Sequence, residues 1–171
     1  MLEIIKRRRS VHSFLKKEVE KEQVHEILTA AMFAPTSMNQ RPWEFIVVTE
    51  DKTKNDLSKA TAFSSFTNNA PVVIVICYNT SKGNRFQEDC ALSAENIYLE
   101  ATHQGLGTCY VQIAGGIEGN VGDPEDHVKR ILNIPKSHRI LCLMPIGYPA
   151  SQTEPHKDSE FDENKIHYEK F

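Results

Sequence analysis

Residues 71–78 read PVVIVICY. Seven residues that are mostly β-branched or aromatic follow a proline. That composition suits a pleated, packed surface and marks a strand entered through a rigid residue. The run does not alternate between apolar and polar. A strand with one wet face alternates; one covered on both faces does not. The stretch therefore predicts a strand at the centre of a layered domain, and the rest of the chain is read outward from it.

Downstream, TSKGN makes a turn. Residues 88–104 then carry Ala91, Ala94, Ile97, Tyr98 and Ala101 at helical spacing, with Leu92 and Leu99 beside them. Apolar residues cover much of that helix, so it is central or packs against a second subunit. Gly105 ends it. GTCYVQI from Gly107 is a third strand candidate and AGGIEGNVGD a glycine-rich loop. A short helix over 124–132 and a strand from Arg139 follow, the latter running into a turn at 147–149. The polar tail closes on KIHYEKF, which alternates as a short strand does and suggests pairing with another subunit.

Upstream, residues 2–9 form a short helix ending in a basic cluster, and 10–19 are loop or extended chain. Val24, Ile27, Leu28, Ala31 and Met32 recur at three- and four-residue intervals, and Pro35 stops that helix. WEFIVVT from Trp43 shows little alternation and is expected inside a sheet. Residues 51–60 make a short helix, and 62–70 a loop with Phe63 and Phe66 as anchors. The order of elements gives α/β or α+β, in two or three layers around one mixed sheet.

The chain has 171 residues, enough for one domain with a real core. Twenty Lys and Arg against twenty-three Asp and Glu give a net charge of −3, which does not suggest a nucleic-acid binder. Cys77, Cys90, Cys109 and Cys142 form no CxxC pair and read as buried free thiols of a reducing compartment. The seven histidines have no spacing that fixes metal geometry. The longest apolar run is eight residues, where a membrane span needs about twenty. A cytoplasmic protein is expected. GxGxxG after the first strand, GxxxxGK[ST], GxSxG and HExxH are all absent.

Four segments offer chemistry. RRRS at 7–10 is a solvated basic patch or an anion site, since a guanidinium fork matches phosphate. APTSMNQRPW at 34–43 is a plain turn before a core tryptophan, or polar groups gathered outside a strand end, where open sheets bind ligands. GLGTCYVQIAGG at 105–116 is a helix cap and turn, or backbone that closely approaches a flat ligand. His156 and Lys157 are exposed filler, or cations reaching the same anion as the arginines.

Together RRRSVHSF, APTSMNQRPWEFIVV, the long helix into GLGTCYV, and GYPASQTEPHK with KIHYEKF resemble the nitroreductase family of flavin enzymes. The resemblance spans the chain in segment order. It implies an α+β fold, a three-layer α/β/α sandwich with a central mixed β-sheet, in a single domain over 1–171. It further implies an intertwined homodimer with FMN at the subunit interface, residues 150–171 forming an arm on the partner. Arg8, Arg9 and Ser10 match the motif that holds FMN phosphate and ribityl oxygens. His12 stands where the family often has arginine or lysine. Pro35, Thr36, Ser37 and Asn39 match the loop that lines the flavin from the other subunit, with Arg41 in place of the usual glutamine. Gly115 and Gly116 fall near the flavin's reactive edge. Lys157 matches a phosphate-binding lysine of the tail, and Ser159 stands where an arginine is often found. The activity implied is transfer of hydride or electrons from NADH or NADPH, through flavin N5, to a nitroaromatic, quinone or similar acceptor by a ping-pong cycle. No side-chain nucleophile, catalytic triad or metal is implied. The alternative is a flavin-binding or regulatory domain without turnover.

Overall fold

The computed structural model describes Met1–Phe171. Five helices and five strands form in the order α1 (Leu2–Arg7), α2 (Lys21–Met32), β1 (Trp43–Val48), α3 (Asp51–Leu57), β2 (Val72–Asn79), α4 (Phe86–His103), β3 (Gly107–Thr108), β4 (Val111–Gln112), α5 (Pro124–Leu132) and β5 (His138–Gly147). The sheet runs β1-β2-β5-β3, and β4 also pairs with β5.

β2 behaves as its composition requires. Seven of its eight residues are buried. Ile74 and Ile76 face the layer built from α2 and α4, where they meet Ile27, Ala31, Cys90, Ala94 and Ile97. Val73, Val75 and Cys77 face the opposite layer, with Leu57 of α3 and Val128 of α5. Two apolar faces leave no room for alternation. Each fully buried Val or Ile contributes about 1.5–3 kcal/mol relative to exposure. Helices on both faces of one sheet give the three-layer α+β arrangement.

The local signals account for the element ends. Gln23 accepts the Glu20 amide hydrogen at 3.1 Å and completes a capping box at the start of α2. Asp123 accepts from the Asp126 amide at 2.8 Å ahead of Pro124, and Asn133 closes α5 in the left-handed region. Gly105 follows α4 at φ +74, a conformation that suits a residue without Cβ.

Three expectations are corrected. The ladders are all antiparallel rather than mixed; the sole parallel pairing among isolated bridges joins Ser10 to Thr108. β1 lies at the sheet edge and pairs with β2 alone, so its short apolar run did not mean an interior strand. KIHYEKF forms no strand within one chain: the tail makes 3-10 turns at Asp158–Glu160 and Glu163–Lys165, and residues 157–171 are exposed. An alternating segment without a neighbouring edge has no ladder to join.

GTCYVQI shows a subtler difference. β3 and β4 pair with β5 in one unbroken register, Thr108 opposite Ile146 and Val111 opposite Leu143, yet the strand is interrupted at Cys109 and Tyr110. There the Tyr110 amide donates to the Tyr98 hydroxyl at 2.7 Å instead of to β5.

Candidate functional site

The end of α1 delivers the basic cluster to α4. The Arg8 guanidinium lies over the Tyr98 ring, 5.2 Å from its centroid, and approaches His156 Nε2 at 3.3 Å. For Arg8 to donate there, the imidazole proton must sit on Nδ1, which is 2.7 Å from Glu160 Oε2. The chain Arg8–His156–Glu160 thus ties the start of the tail to α1. The His156 amide donates to the Lys6 carbonyl at 2.7 Å, and Lys6 pairs with Asp158 at 2.6 Å. Hydrogen bonding from His156 holds the Glu160 carboxyl below its ordinary range.

Ser10 follows on the same support. Its hydroxyl is 3.3 Å from the Tyr98 hydroxyl, and its backbone bridges Thr108. A Cβ on Gly107 would lie 2.5 Å from Val11 Cγ2, so only glycine lets segment 10–12 come this close to β3. Burial pushes the Tyr98 phenol pKa upward, which keeps its proton in place.

Segment 10–12 leads into a cleft of about 540 Å³. His12, Phe63, Phe66, Tyr110, Gly115 and Gly116 line it, together with Cys109. The His12 ring stands edge-on to Phe66 at 4.7 Å, and its Nε2 is 3.3 Å from Cys109 Sγ. Burial raises the Cys109 pKa, so this thiol is poor in thiolate. Gly115 sits at φ +64, and a Cβ on Gly116 would meet the Gln112 carbonyl at 2.6 Å. Open space lies where a Cβ on Gly115 would stand, so the loop backbone is bare at that residue of the cleft wall.

The structure brings Arg8, Ser10, His12, Gly115 and Gly116 to this one region. Arg9 is half-buried beside them, and Lys157 is exposed next to His156. Pro35, Thr36, Ser37 and Asn39 are elsewhere. Their loop meets α4 at Asp89, whose Oδ1 accepts the Ser37 amide at 3.0 Å. Nine residues separate Asp89 from Tyr98, about 13 Å along the helix axis. One chain therefore displays the two groups as separate surfaces on α4. The loop is strained: Met38, Asn39 and Arg41 have φ of 51, 56 and 46. A non-glycine residue in that region costs on the order of 1 kcal/mol or more. Thr36 Oγ1 accepts the Arg41 amide at 3.2 Å, and Arg41 Nε donates to Asn39 Oδ1 at 2.9 Å.

A larger groove of about 1140 Å³ runs beneath residues 13–22 and contains none of these residues. Its buried cation, Lys54, is occupied by the Ala70 and Pro71 carbonyls and by Asp51.

The nitroreductase family model matches residues 5–64 and 54–148, most of the chain. The chain belongs to the nitroreductase family.

Similar proteins agree. A Methanothermobacter thermautotrophicus protein assigned as an NADH dehydrogenase/NAD(P)H nitroreductase is 31% identical over 174 residues, covering 100% of this chain and 87% of its own length. A Clostridium difficile structure described as an FMN-dependent nitroreductase superposes with TM-score 0.96 at 33% identity, with both chains covered completely. A Bacteroides thetaiotaomicron structure assigned as an NADH dehydrogenase/NAD(P)H nitroreductase gives 0.91 at 32% identity, covering 99% of this chain and 97% of that one.

Sequence reading of this nitroreductase missed Tyr98, Tyr110 and Asp89 as site-forming residues; His156 was a candidate only as a cation, not as the link between Arg8 and Glu160. Tyr98 sat in the apolar stripe of α4 and was counted as packing. The available signal was a phenol at a buried helical position, which needs a partner. Asp89 carried a comparable signal, a carboxylate in line with Ser93 and Ile97 on the buried stripe.

Proposed function

We propose that this nitroreductase is an FMN-dependent NAD(P)H oxidoreductase that works by a ping-pong cycle on a nitroaromatic, quinone or similarly electron-poor acceptor. One observation carries the reading. Residues 8–12 join a cation-and-hydroxyl surface, Arg8 and Ser10 on Tyr98, to a cleft with aromatic walls and a bare glycine backbone. That donor set fits a molecule that is a flat ring at one end and a phosphate at the other. The cleft volume is in the range of small-molecule and cofactor sites.

Arg8, Arg9, Ser10 and Lys157 would hold the FMN phosphate and ribityl oxygens by charge-assisted hydrogen bonds. His12 supplies an imidazole at a position beside them. Gly115 and Gly116 would present backbone toward the ring. When bound, FMN supplies the redox chemistry, accepting a hydride from NADH or NADPH and passing reducing equivalents to the acceptor in a second half-reaction. The chain's own task is to orient the ring, balance the phosphate charge and leave one ring face open to both substrates in turn. No side-chain nucleophile is needed.

The assembly we propose is a homodimer of single-domain chains. Pro35, Thr36, Ser37 and Asn39 of each copy complete the other copy's cleft, and residues 150–171 pack on the partner. The separation of the two surfaces along α4 supports this, as does the exposed apolar group Met32, Phe33, Met38 and Leu92 around the α2 end and α4. No helix is long and apolar enough to cross a membrane. All four cysteines are free, which suits the cytoplasmic setting we assign.

The test is direct. Purified protein is expected to be yellow, to bleach with NADH or NADPH under anaerobic conditions, and to be re-oxidised by an acceptor panel with parallel double-reciprocal lines. Colourless protein that fails to take up added FMN defeats the reading. Flavin retained without turnover on any acceptor defeats the enzymatic part and leaves a binding domain.

A further inference from the structure

Asp89 is 4% exposed, on the first turn of α4. A carboxylate is rarely buried unless something requires it. One of its oxygens accepts the Ser37 amide at 3.0 Å; the other, Oδ2, is buried without a partner. Such an arrangement is costly, and it is spent on a single backbone donor. That donor opens the segment carrying three non-glycine residues with positive φ, Met38, Asn39 and Arg41. A strained segment persists only where its surroundings hold it. Within the loop, the Thr36–Arg41 and Arg41–Asn39 hydrogen bonds tie the segment to itself. The Asp89–Ser37 bond ties it to the helix that also carries Tyr98.

We infer that Asp89 is the positioning residue of the 36–41 loop, fixing it at a set distance from the Arg8–Ser10 surface by anchoring both to one rigid helix. The inference rests on the reading that this loop completes the cofactor site of the second copy. Asp89 touches no cofactor atom in this account; it acts through Ser37. Ser93, one turn further along the same buried stripe, is 0% exposed with an unpartnered hydroxyl and has no hydrogen bond to the loop. It therefore separates loop anchoring from general disturbance of α4.

The experiment measures FMN affinity by fluorescence titration of the flavin-stripped full chain, alongside deuterium uptake of residues 36–41. Asp89→Ala is expected to weaken FMN binding by roughly tenfold to a hundredfold, as loss of one charge-assisted hydrogen bond implies, and to speed exchange across the loop. Asp89→Asn keeps an oxygen in place and is expected to restore most of both. Ser93→Ala is expected to leave both at wild-type values. If Asp89→Ala does not fold, Ser37→Pro removes the donor and leaves the carboxylate; Thr36, at φ −136 and ψ 156, already has the conformation that a following proline favours. It should reproduce the faster loop exchange, which loss of the Ser37 hydroxyl from the cofactor's surroundings would not by itself cause. Wild-type FMN affinity in both variants, unchanged loop exchange, or an equal loss in Ser93→Ala overturns the inference. Failure of the unmutated chain to bind FMN overturns instead the reading beneath it.

Discussion

The Ser10 hydroxyl lies 3.3 Å from the hydroxyl of Tyr98. That same phenol oxygen accepts the Tyr110 amide at 2.7 Å, so one atom joins the segment after α1 to the break between β3 and β4. Tyr98→Phe removes the oxygen, keeps the ring under Arg8, and strands the Tyr110 N–H in the interior. Leaving a buried donor unsatisfied costs about 1–3 kcal/mol. Urea unfolding should show a loss of that size, and FMN affinity should fall as Ser10 and Tyr110 lose their common partner. Unchanged stability would mean that the Tyr110 amide finds β5 or water without cost.

The triple arginine does not act as a unit. Arg8 stacks on Tyr98 and reaches His156, whereas no hydrogen bond or ion pair fixes the Arg9 side chain. A pre-positioned guanidinium gives up less freedom on gripping a phosphate. Arg8→Ala should therefore weaken FMN binding by at least about tenfold, near 1.4 kcal/mol, and by more than Arg9→Ala does. Flavin released per chain after gel filtration measures both. Equal losses would show that the cluster works by charge alone.

Burial raises the Cys77 pKa to about 11 and the Cys90 pKa to about 12, and pushes that of Cys142 well above its ordinary value. Thiolate is scarce in all three at pH 8. A disulfide reagent should leave them unreacted in the native protein and titrate four thiols in denaturant. Cys109, which lines the cleft, should react first, and more slowly once FMN is bound. Rapid native reaction of Cys90 would contradict the packing of α4 on the sheet.

Glu125 governs part of the acid response. Burial favours its protonated form, but hydrogen bonds from Arg139, at 2.7 and 2.8 Å, and from Lys129 prevail and lower its pKa below 4.5. A carboxyl depressed in the folded state adds stability above its unfolded pKa and loses it as pH falls through the folded value. Unfolding free energy should thus decline as pH drops below about 4.5, and Glu125→Gln should decline less steeply. Parallel pH profiles would remove this ion pair from the acid response.

Much of the fold was legible because local signals and packing agreed. The unbroken β2 run reported two buried faces, and Gly105 and Pro124 marked element ends where the backbone needs them. β1 misled because a short apolar run shows that a strand is covered without showing its number of neighbours. The break at Cys109 and Tyr110 was invisible, since it depends on a phenol twelve residues earlier in sequence. The basic and glycine-rich segments were legible as candidates, and Tyr98 and Asp89 were not. Both look like helix interior until tertiary contacts show which backbone amide each one holds.

The shared-site claim is tested most directly by sedimentation equilibrium monitored at both protein and flavin absorbance. The account predicts one species at twice the 19.4 kDa chain mass, carrying two FMN per pair of chains. Full flavin occupancy on a stable species of single-chain mass would contradict it.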